Sequence, residues 1–573
     1  MSKKIDKKIQ IRIVVIEVSL LLFIGFLGGT AFKIQVLDNS DLADKARNEY
    51  TGYDLIKGKR GDILDRNMNK LATTIDTLSL ACSPVKIRNS VMASKKLGPL
   101  LGMNRRVLEK KFNKKKYFLL LKKNISPDLK KRIDELDING LFFKKDAVRF
   151  YPNRNLAAQV IGFTGNDNAG LEGLEYRFDS VLKGRKIKIS ITRDGKGNNL
   201  GNDKIHEQRF RGDSLVLTID GTIQYICETA LKKAVVKNDA KSGMVIVMRP
   251  STGEILAMAM YPEFNPNSFS GFKRGTWRNR TVTDPFEPGS VMKVFVASVA
   301  MDKGYCTRKS IFFCENGAYS LGRFVIHDTH AHGWLTLSQI VKYSSNIGAA
   351  KVSEIIGRKT LYDSLVKFGF GRKTSVDCPG ETLGLLIPYG RWSDIDQGAI
   401  AFGQGISVSA IQLITGISAI ADNGVLMKPL IVREIIANDG TIKKKYMPKP
   451  VARVISAETA AYVRHMMRLV VEENGTGTEA AINGYSVCGK TGTAQKAAKN
   501  GIGYAKKKYT AVFTGFAPEK NPQLAALVVI DEPKKSHYGG VVAAPAFKKI
   551  MSKALNYFHI PPDLDSGKLV AEN

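Results

Sequence analysis

Cysteine is scarce in this chain of 573 residues: there are six, and no two of them form a CxxC pair. That is too few for a disulfide scaffold and gives no paired spacing for zinc. No tract is biased toward a few residue types, and the 20 prolines form no run. Collagenous, coiled-coil and mainly disordered chains are thereby excluded. Acidic residues are also in short supply. Asp plus Glu number 53 against 87 Lys plus Arg, a formal net charge of +34. Such an excess calls for an anionic partner: nucleic acid, a membrane surface or an acidic polymer. What the chain does have is 44% apolar residues and a length that implies more than one domain.

Residues 13–32 (IVVIEVSLLLFIGFLGGTAF) form a mostly apolar run of 20 residues, about 30 Å as a helix, the thickness of a bilayer's hydrocarbon core. Lys3, Lys4, Lys7, Lys8 and Arg12 precede it, and Lys33 alone follows closely. The positive-inside rule then leaves residues 1–12 as a cytoplasmic tail and exports the rest. Small residues from Gly28 to Ala31 leave a cleaved signal peptide as the alternative. The run is long for that, and no A-x-A site ends it, so an uncleaved single-pass anchor in the inner (cytoplasmic) membrane is preferred. Glu17 is costly inside the run and reads either as a contact to a partner helix or, only about one turn in, as a carboxylate that reaches the interface, and Gly25 and Gly29 form a weak GxxxG packing signal. Export removes nucleic acid from the partner list. The densest basic cluster, KKFNKKKYFLLLKK at 110–123, reads as a solvated amphipathic surface.

The exported part divides in two, with an α+β pattern overall. Residues 50–205 read as a mixed α/β pedestal of short strands and glycine-containing turns, with no obvious catalytic group. Arg60-Gly61-Asp62 and Arg211-Gly212-Asp213 match an adhesion tripeptide by accident of length. The segment 213–234 reads as strand, turn and helix. A second domain, 240–557, opens on a hairpin (Val245–Met248 and Ile255–Met260 around Pro250-Ser251-Thr252-Gly253). Helices dominate from 290 to 475. Strands return at 485–494, 509–516 and 524–530, then a helix at 543–557 precedes a tail at 558–573. An antiparallel sheet built from both ends of the domain, with a helical middle, is expected.

Three short motifs carry chemistry together. Ser290 and Lys293 lie at i and i+3 in DPFEPGSVMKVFVASVA (284–300), so one helix face presents hydroxyl and amine together. Pro288 and Gly289 put Ser290 at the helix N-terminus, where free N–H groups favour an oxyanion. The helix is apolar nearly all round; burial would lower the lysine's pKa and make a neutral amine available as the base that a serine nucleophile needs. SxxK alone proves little, since the chain contains five copies. SxN occurs once, as Ser344-Ser345-Asn346, and KTG once, as Lys490-Thr491-Gly492. SxxK, SxN and KTG together make the set of penicillin-recognising serine enzymes.

With that set in place, the exported region resembles the class B penicillin-binding proteins, the peptidoglycan D,D-transpeptidases. RGDILDRN, RFYP, GLEGLE, LTIDGTIQ, FGQGISVSAIQL and YGGVVAAPAFKKI look like that family's landmarks across residues 50–555. NRTVTDPFEPGS (279–290) looks most like the septal, division-specific branch; the elongation-specific branch typically has a proline where Glu287 stands. No glycosyltransferase domain precedes RGDILDRN, unlike class A relatives. The resemblance implies that Ser290 attacks the D-alanyl-D-alanine carbonyl and Lys293 takes its proton. Ser344 would relay a proton to the leaving group, and Asn346 would hold the substrate amide and Lys293. Lys490 would supply positive potential, with Thr491, Gly492 and Thr493 on the substrate carboxylate. The N–H groups of Ser290 and Thr493 would form the oxyanion hole. Stem peptides, β-lactams and inner-membrane division proteins, including a glycosyltransferase, are the implied partners, with no cofactor.

Two other readings compete. A β-lactamase shares the motifs but is compact, whereas 144 positions separate Asn346 from Lys490 here, and it needs neither anchor nor pedestal. A division scaffold has no need of Ser290, Lys293 and Lys490 together. His327, His330 and His332 (HDTHAH) invite a metal, but no second cluster completes a site, and none is expected. Cys306 and Cys314 could pair or stay free. Cys488 reads as a core residue.

Overall fold

Residues 7–32 bond as a continuous helix, α1 (Lys7–Phe32), in a computed structural model that describes residues 7–37, 44–45, 51–192, 210–321, 324–498 and 503–564. Lys3 and Lys4, the pedestal stretches 50 and 193–205, and the tail beyond 564 lie outside the described residues. Lys7–Arg12, adequate helix formers, carry the helix ahead of the apolar run. Within Lys7–Leu37 the most apolar stretch of 18 residues reaches a mean hydropathy of 2.3, and the segment is long and apolar enough to cross a membrane. They belong to one structural unit, 1–58 with 184–210, in which the strands Thr51–Lys57 and Lys186–Thr192 pair antiparallel.

Among the described residues, the second unit, 59–183 with 211–573, holds two large sheets, of seven and five strands, beside three two-stranded ones. In the first, Ile63–Leu64, Lys70–Cys82, Leu119–Ile125, Leu141–Phe150 and Ser214–Leu217 are joined by Val432–Ile436 and Ile442–Lys445 from the far end of the sequence. The strands are not all short: Lys70–Cys82 runs 13 residues because it pairs with three partners, Ile63–Leu64, Leu119–Ile125 and Leu141–Phe150. The basic cluster at 110–123 is split between the end of one helix, Arg105–Phe112, and the strand that begins at Leu119.

Three of the family landmarks meet at one buried carboxylate. Glu175 (of GLEGLE) accepts from Arg60 Nε (of RGDILDRN) at 2.5 Å and from Arg149 Nε (of RFYP) at 2.6 Å, and Tyr151 OH lies 3.3 Å away. Arg60 also donates to Asp179 at 2.6 Å. Arg60 is 3% exposed, so Arg60-Gly61-Asp62 is interior structure rather than an adhesive loop.

The second sheet is the antiparallel one expected from both ends of the catalytic region. In chain order its surroundings are α2 (Gly221–Lys237), β1 (Ser242–Met248), β2 (Ile255–Tyr261), α3 (Met292–Asp302), α4 (Leu337–Tyr343), α5 (Asn346–Ile356), α6 (Ala410–Ala421), α7 (Ala457–Leu469), β3 (Cys488–Ala497), β4 (Tyr504–Ala517), β5 (Leu524–Asp531) and α8 (Ala544–Tyr557). The strand order is β3-β4-β5-β1-β2. Alternate residues go to opposite faces: Met244, Ile246 and Leu527 face the core containing α3 and α6, while Val245, Val247 and Val528 face α2 and α8. Both faces are covered, so β1, β2 and β5 read as nearly continuous apolar runs instead of alternating ones. All six cysteines are buried free thiols, Cys306, Cys314 and Cys488 among them.

Candidate active site

Ser290 stands on a tight turn, Gly289–Val291, that leads directly into α3. Residues Met292 to Ala300 are all buried, as the all-round apolar sequence predicts. The turn is pinned by backbone. Gly289 has φ +56°, and a Cβ there would lie 2.8 Å from the carbonyl oxygen of Thr493. Gly403 (of FGQGISVSAIQL) is pressed against Gly289 so closely that its Cβ would fall 2.0 Å from the Gly289 oxygen. The segment Phe286 is tied to Val408 by two hydrogen bonds of 2.9 Å. Strand β3 is the edge of its sheet, so its unpaired edge is free to meet this turn.

Lys293, one turn on, is 2% exposed. Its Nζ donates to the Ser344 carbonyl, to Ser344 Oγ at 3.2 Å and to Asn346 Oδ1 at 2.7 Å. Burial pushes the Lys293 amine down to about 7, against a smaller upward pull from Asp328. Lys490, fully buried on β3, donates to Ser344 Oγ at 3.0 Å and to the Thr491 carbonyl at 3.2 Å. Burial, and then repulsion from Lys293, hold its amine well below the ordinary lysine range. Two buried amines thus share one hydroxyl. Among the described residues Ser290 Oγ has no hydrogen-bond partner, so the Lys293 donors are all directed to the SxN segment.

The sequence builds that segment by stopping one helix and starting another within two residues. A capping box, Thr336 with Gln339, opens α4. Ser344 ends it in the left-handed region, φ +64°, at a cost of about 1 kcal/mol for a non-glycine residue. Ser345 then caps α5, accepting from Gly348 N–H at 2.9 Å. The left-handed turn throws Ser344 out of both helices toward the lysines, and Asn346 becomes the first residue of α5.

Asp328 holds this junction, and sequence reasoning missed it while weighing the histidines on either side. Its Oδ1 accepts from the N–H groups of Asn346 and Ile347, the latter at 3.0 Å, and its Oδ2 accepts from Ser345 Oγ at 2.5 Å. A carboxylate at a helix N-terminus is favourable in itself. His327 contributes a carbonyl that accepts from Asn346 Nδ2 at 2.8 Å, and the His332 ring stacks on Tyr343. Among the described residues no group of three His, Cys, Asp or Glu side chains could hold a metal ion. On β3, Thr491 Oγ1 lies 3.0 Å from Thr476 Oγ1, and Thr493 Oγ1 accepts from the N–H of Gly539 (of YGGVVAAPAFKKI) at 3.2 Å. Gly492 lies between them, buried against Pro288.

Ser290, Lys293, Ser344, Asn346, Lys490, Thr491, Gly492 and Thr493 thus come from three segments into one site. Known proteins share the sequence and the fold of this chain. The profile of the penicillin-binding protein transpeptidase domain matches residues 243–552, and that of the penicillin-binding protein dimerisation domain matches 55–217. The chain is 35% identical to the probable peptidoglycan D,D-transpeptidase PenA of Neisseria meningitidis, over 94% of this chain and 91% of that one. It is 32% identical to the peptidoglycan D,D-transpeptidase FtsI of Escherichia coli, over 95% and 91%. The crystal structure of penicillin-binding protein 3 from Mycobacterium tuberculosis complexed with ampicillin superimposes with a TM-score of 0.71 at 29% identity, covering 90% of this chain and 98% of that one. The fold, the three-motif site and these relatives lead to one conclusion: the chain belongs to the penicillin-binding protein transpeptidase family.

Proposed function

We propose that this protein is a serine-type peptidoglycan D,D-transpeptidase that cross-links stem peptides during septal wall synthesis and is inhibited by β-lactams. The observation that carries the reading is Ser344 Oγ lying between two buried amines, 3.2 Å from Lys293 and 3.0 Å from Lys490. Coupled amines of this kind share their protons. A substrate carboxylate arriving at Thr491, Gly492 and Thr493 favours charge on Lys490, and repulsion then favours the neutral form of Lys293. Neutral Lys293 takes the Ser290 proton as Oγ attacks the D-alanyl-D-alanine carbonyl. The N–H groups of Ser290 and Thr493 stabilise the oxyanion. The proton passes from Lys293 through Ser344 to the departing D-alanine nitrogen, and Asn346 keeps Lys293 in register. An acyl-serine remains, and an amine from a second stem peptide converts it to an amide cross-link. A β-lactam acylates Ser290 by the same first step.

In this reading α1 anchors the chain in the inner membrane, with Lys7, Lys8 and Arg12 keeping its start in the cytoplasm. Residues 50–205 form the non-catalytic pedestal and 240–557 the transpeptidase domain. Inner-membrane division proteins, a glycosyltransferase among them, are its partners. Glu287 in the flank of the first motif, together with the FtsI relative, supports the septal over the elongation branch. Depletion in the native cell tests this. Filamentation with loss of midcell wall labelling, not restored by Ser290→Ala, is expected. Rounding of the cells would move the function to elongation, and restored division by Ser290→Ala would make the protein a scaffold.

A further inference from the structure

Glu287 precedes Ser290 by one proline and one glycine, and its carboxylate is short of partners. Oε1 accepts from the Gly405 N–H at 3.1 Å and, weakly, from Tyr504 OH at 3.4 Å. Oε2 is shielded from solvent and has no hydrogen-bond partner. Among the described residues no lysine or arginine pairs with it, in a chain with 34 more cations than anions. Buried polar atoms are ordinarily satisfied, and an exception calls for a reason.

The position supplies one. The segments around Ser290 also surround Glu287. Gly403 backs the Gly289 turn and Gly405 donates to Glu287, while Tyr504 pairs with Ala497 at the far end of the KTG strand. The second half of the transpeptidase reaction brings an amine to the acyl-serine, and at neutral pH an alkyl amine arrives as an ammonium. An ammonium has no lone pair and cannot attack until it loses a proton.

We propose that Glu287 receives the acceptor amine, holding its ammonium at the mouth of the site and taking one of its protons. This rests on the transpeptidase reading and extends it to the acceptor side. The carboxylate takes one proton from the ammonium and becomes a carboxylic acid. The freed nitrogen lone pair forms the new C–N bond at the acyl carbon. The C–Oγ bond to Ser290 then breaks, and the second amine proton returns to Oγ by way of Lys293. The third stays on the amide nitrogen, and Glu287 releases its proton to solvent. The long Tyr504 contact is the one that gives way to the ammonium. Burial, which pushes the Glu287 carboxyl above its ordinary range, makes it a better base than a surface glutamate.

The test separates the two half-reactions, using full-length protein in detergent, a D-alanyl thioester donor, and glycine or hydroxylamine as acceptor. Hydroxylamine is already neutral at pH 7.5 and needs no base to shed a proton first. In Glu287→Gln, acylation by a fluorescent penicillin should stay within about threefold of wild type, which also reports an intact fold. Glycine aminolysis should fall by about 100-fold, the low end for a general base, with hydrolysis and hydroxylamine aminolysis retained. Tyr504→Phe, at a position 39% exposed, leaves the carboxylate freer and should hold or raise glycine aminolysis. Undiminished glycine aminolysis in Glu287→Gln overturns the proposal, as does an equal loss with both acceptors or a fall in Tyr504→Phe. Failure of the wild type to acylate would instead overturn the transpeptidase reading beneath it.

Discussion

Ser344 shows how much of the site depends on single residues. Its left-handed backbone is the price of ending α4 where the lysines need a hydroxyl. Ser344→Gly and Ser344→Ala both remove the hydroxyl, but glycine relieves the backbone and alanine does not. Glycine should therefore be the more stable variant by about 1 kcal/mol, measured by thermal melting, while both lose acylation by about 100-fold or more. Lys293, held down to about 7 by burial, sets a pH limb. In the proposed mechanism its neutral form takes the Ser290 proton, so the acylation rate should rise with pH through about 7 and fall below it. Asp328 pulls the other way, so Asp328→Asn should move that limb to lower pH as well as slow acylation by loosening Asn346. A limb that stays in place would make Asp328 a helix cap and nothing more. SxxK, SxN and KTG were legible in the sequence because they are contiguous strings. Asp328 was not, since its role exists only once the chain returns to cap α5.

At the level of elements, the catalytic sheet was readable because buried strands are apolar on both faces and the ends of the domain carry the turn residues between them. The pedestal sheet was not. Val432–Ile436 joins Ser214–Leu217 across more than two hundred residues, and no local pattern marks such a partner. Likewise RGDILDRN, RFYP and GLEGLE were visible as landmarks without their reason, which is the shared Glu175 carboxylate. Glu175→Gln keeps the shape and removes the charge that offsets two buried guanidinium groups. Breaking a buried ion pair costs about 3–5 kcal/mol, so the melting temperature should drop by roughly 6 °C or more. A shift under about 1 °C would mean that solvent or neighbouring groups already neutralise the arginines.

For the whole molecule, the +34 charge with which the sequence stands out is spread over the chain, while the proposed chemistry uses two buried lysines that contribute little of it. The excess is best understood as attraction to anionic lipid and wall polymer. Raising salt from about 50 to 300 mM should then slow cross-linking of polymeric wall substrate severalfold. Acylation by a small penicillin should change little, since it depends on the buried site; equal salt sensitivity of the two would count against the assignment. The central claim is that Ser290 is an acyl-transfer nucleophile. Intact mass spectrometry after incubation with benzylpenicillin tests it most directly. One adduct of the full antibiotic mass is expected, mapping to the Ser290 peptide and absent from Ser290→Ala. No adduct on the wild type, or one that persists in Ser290→Ala, would contradict it.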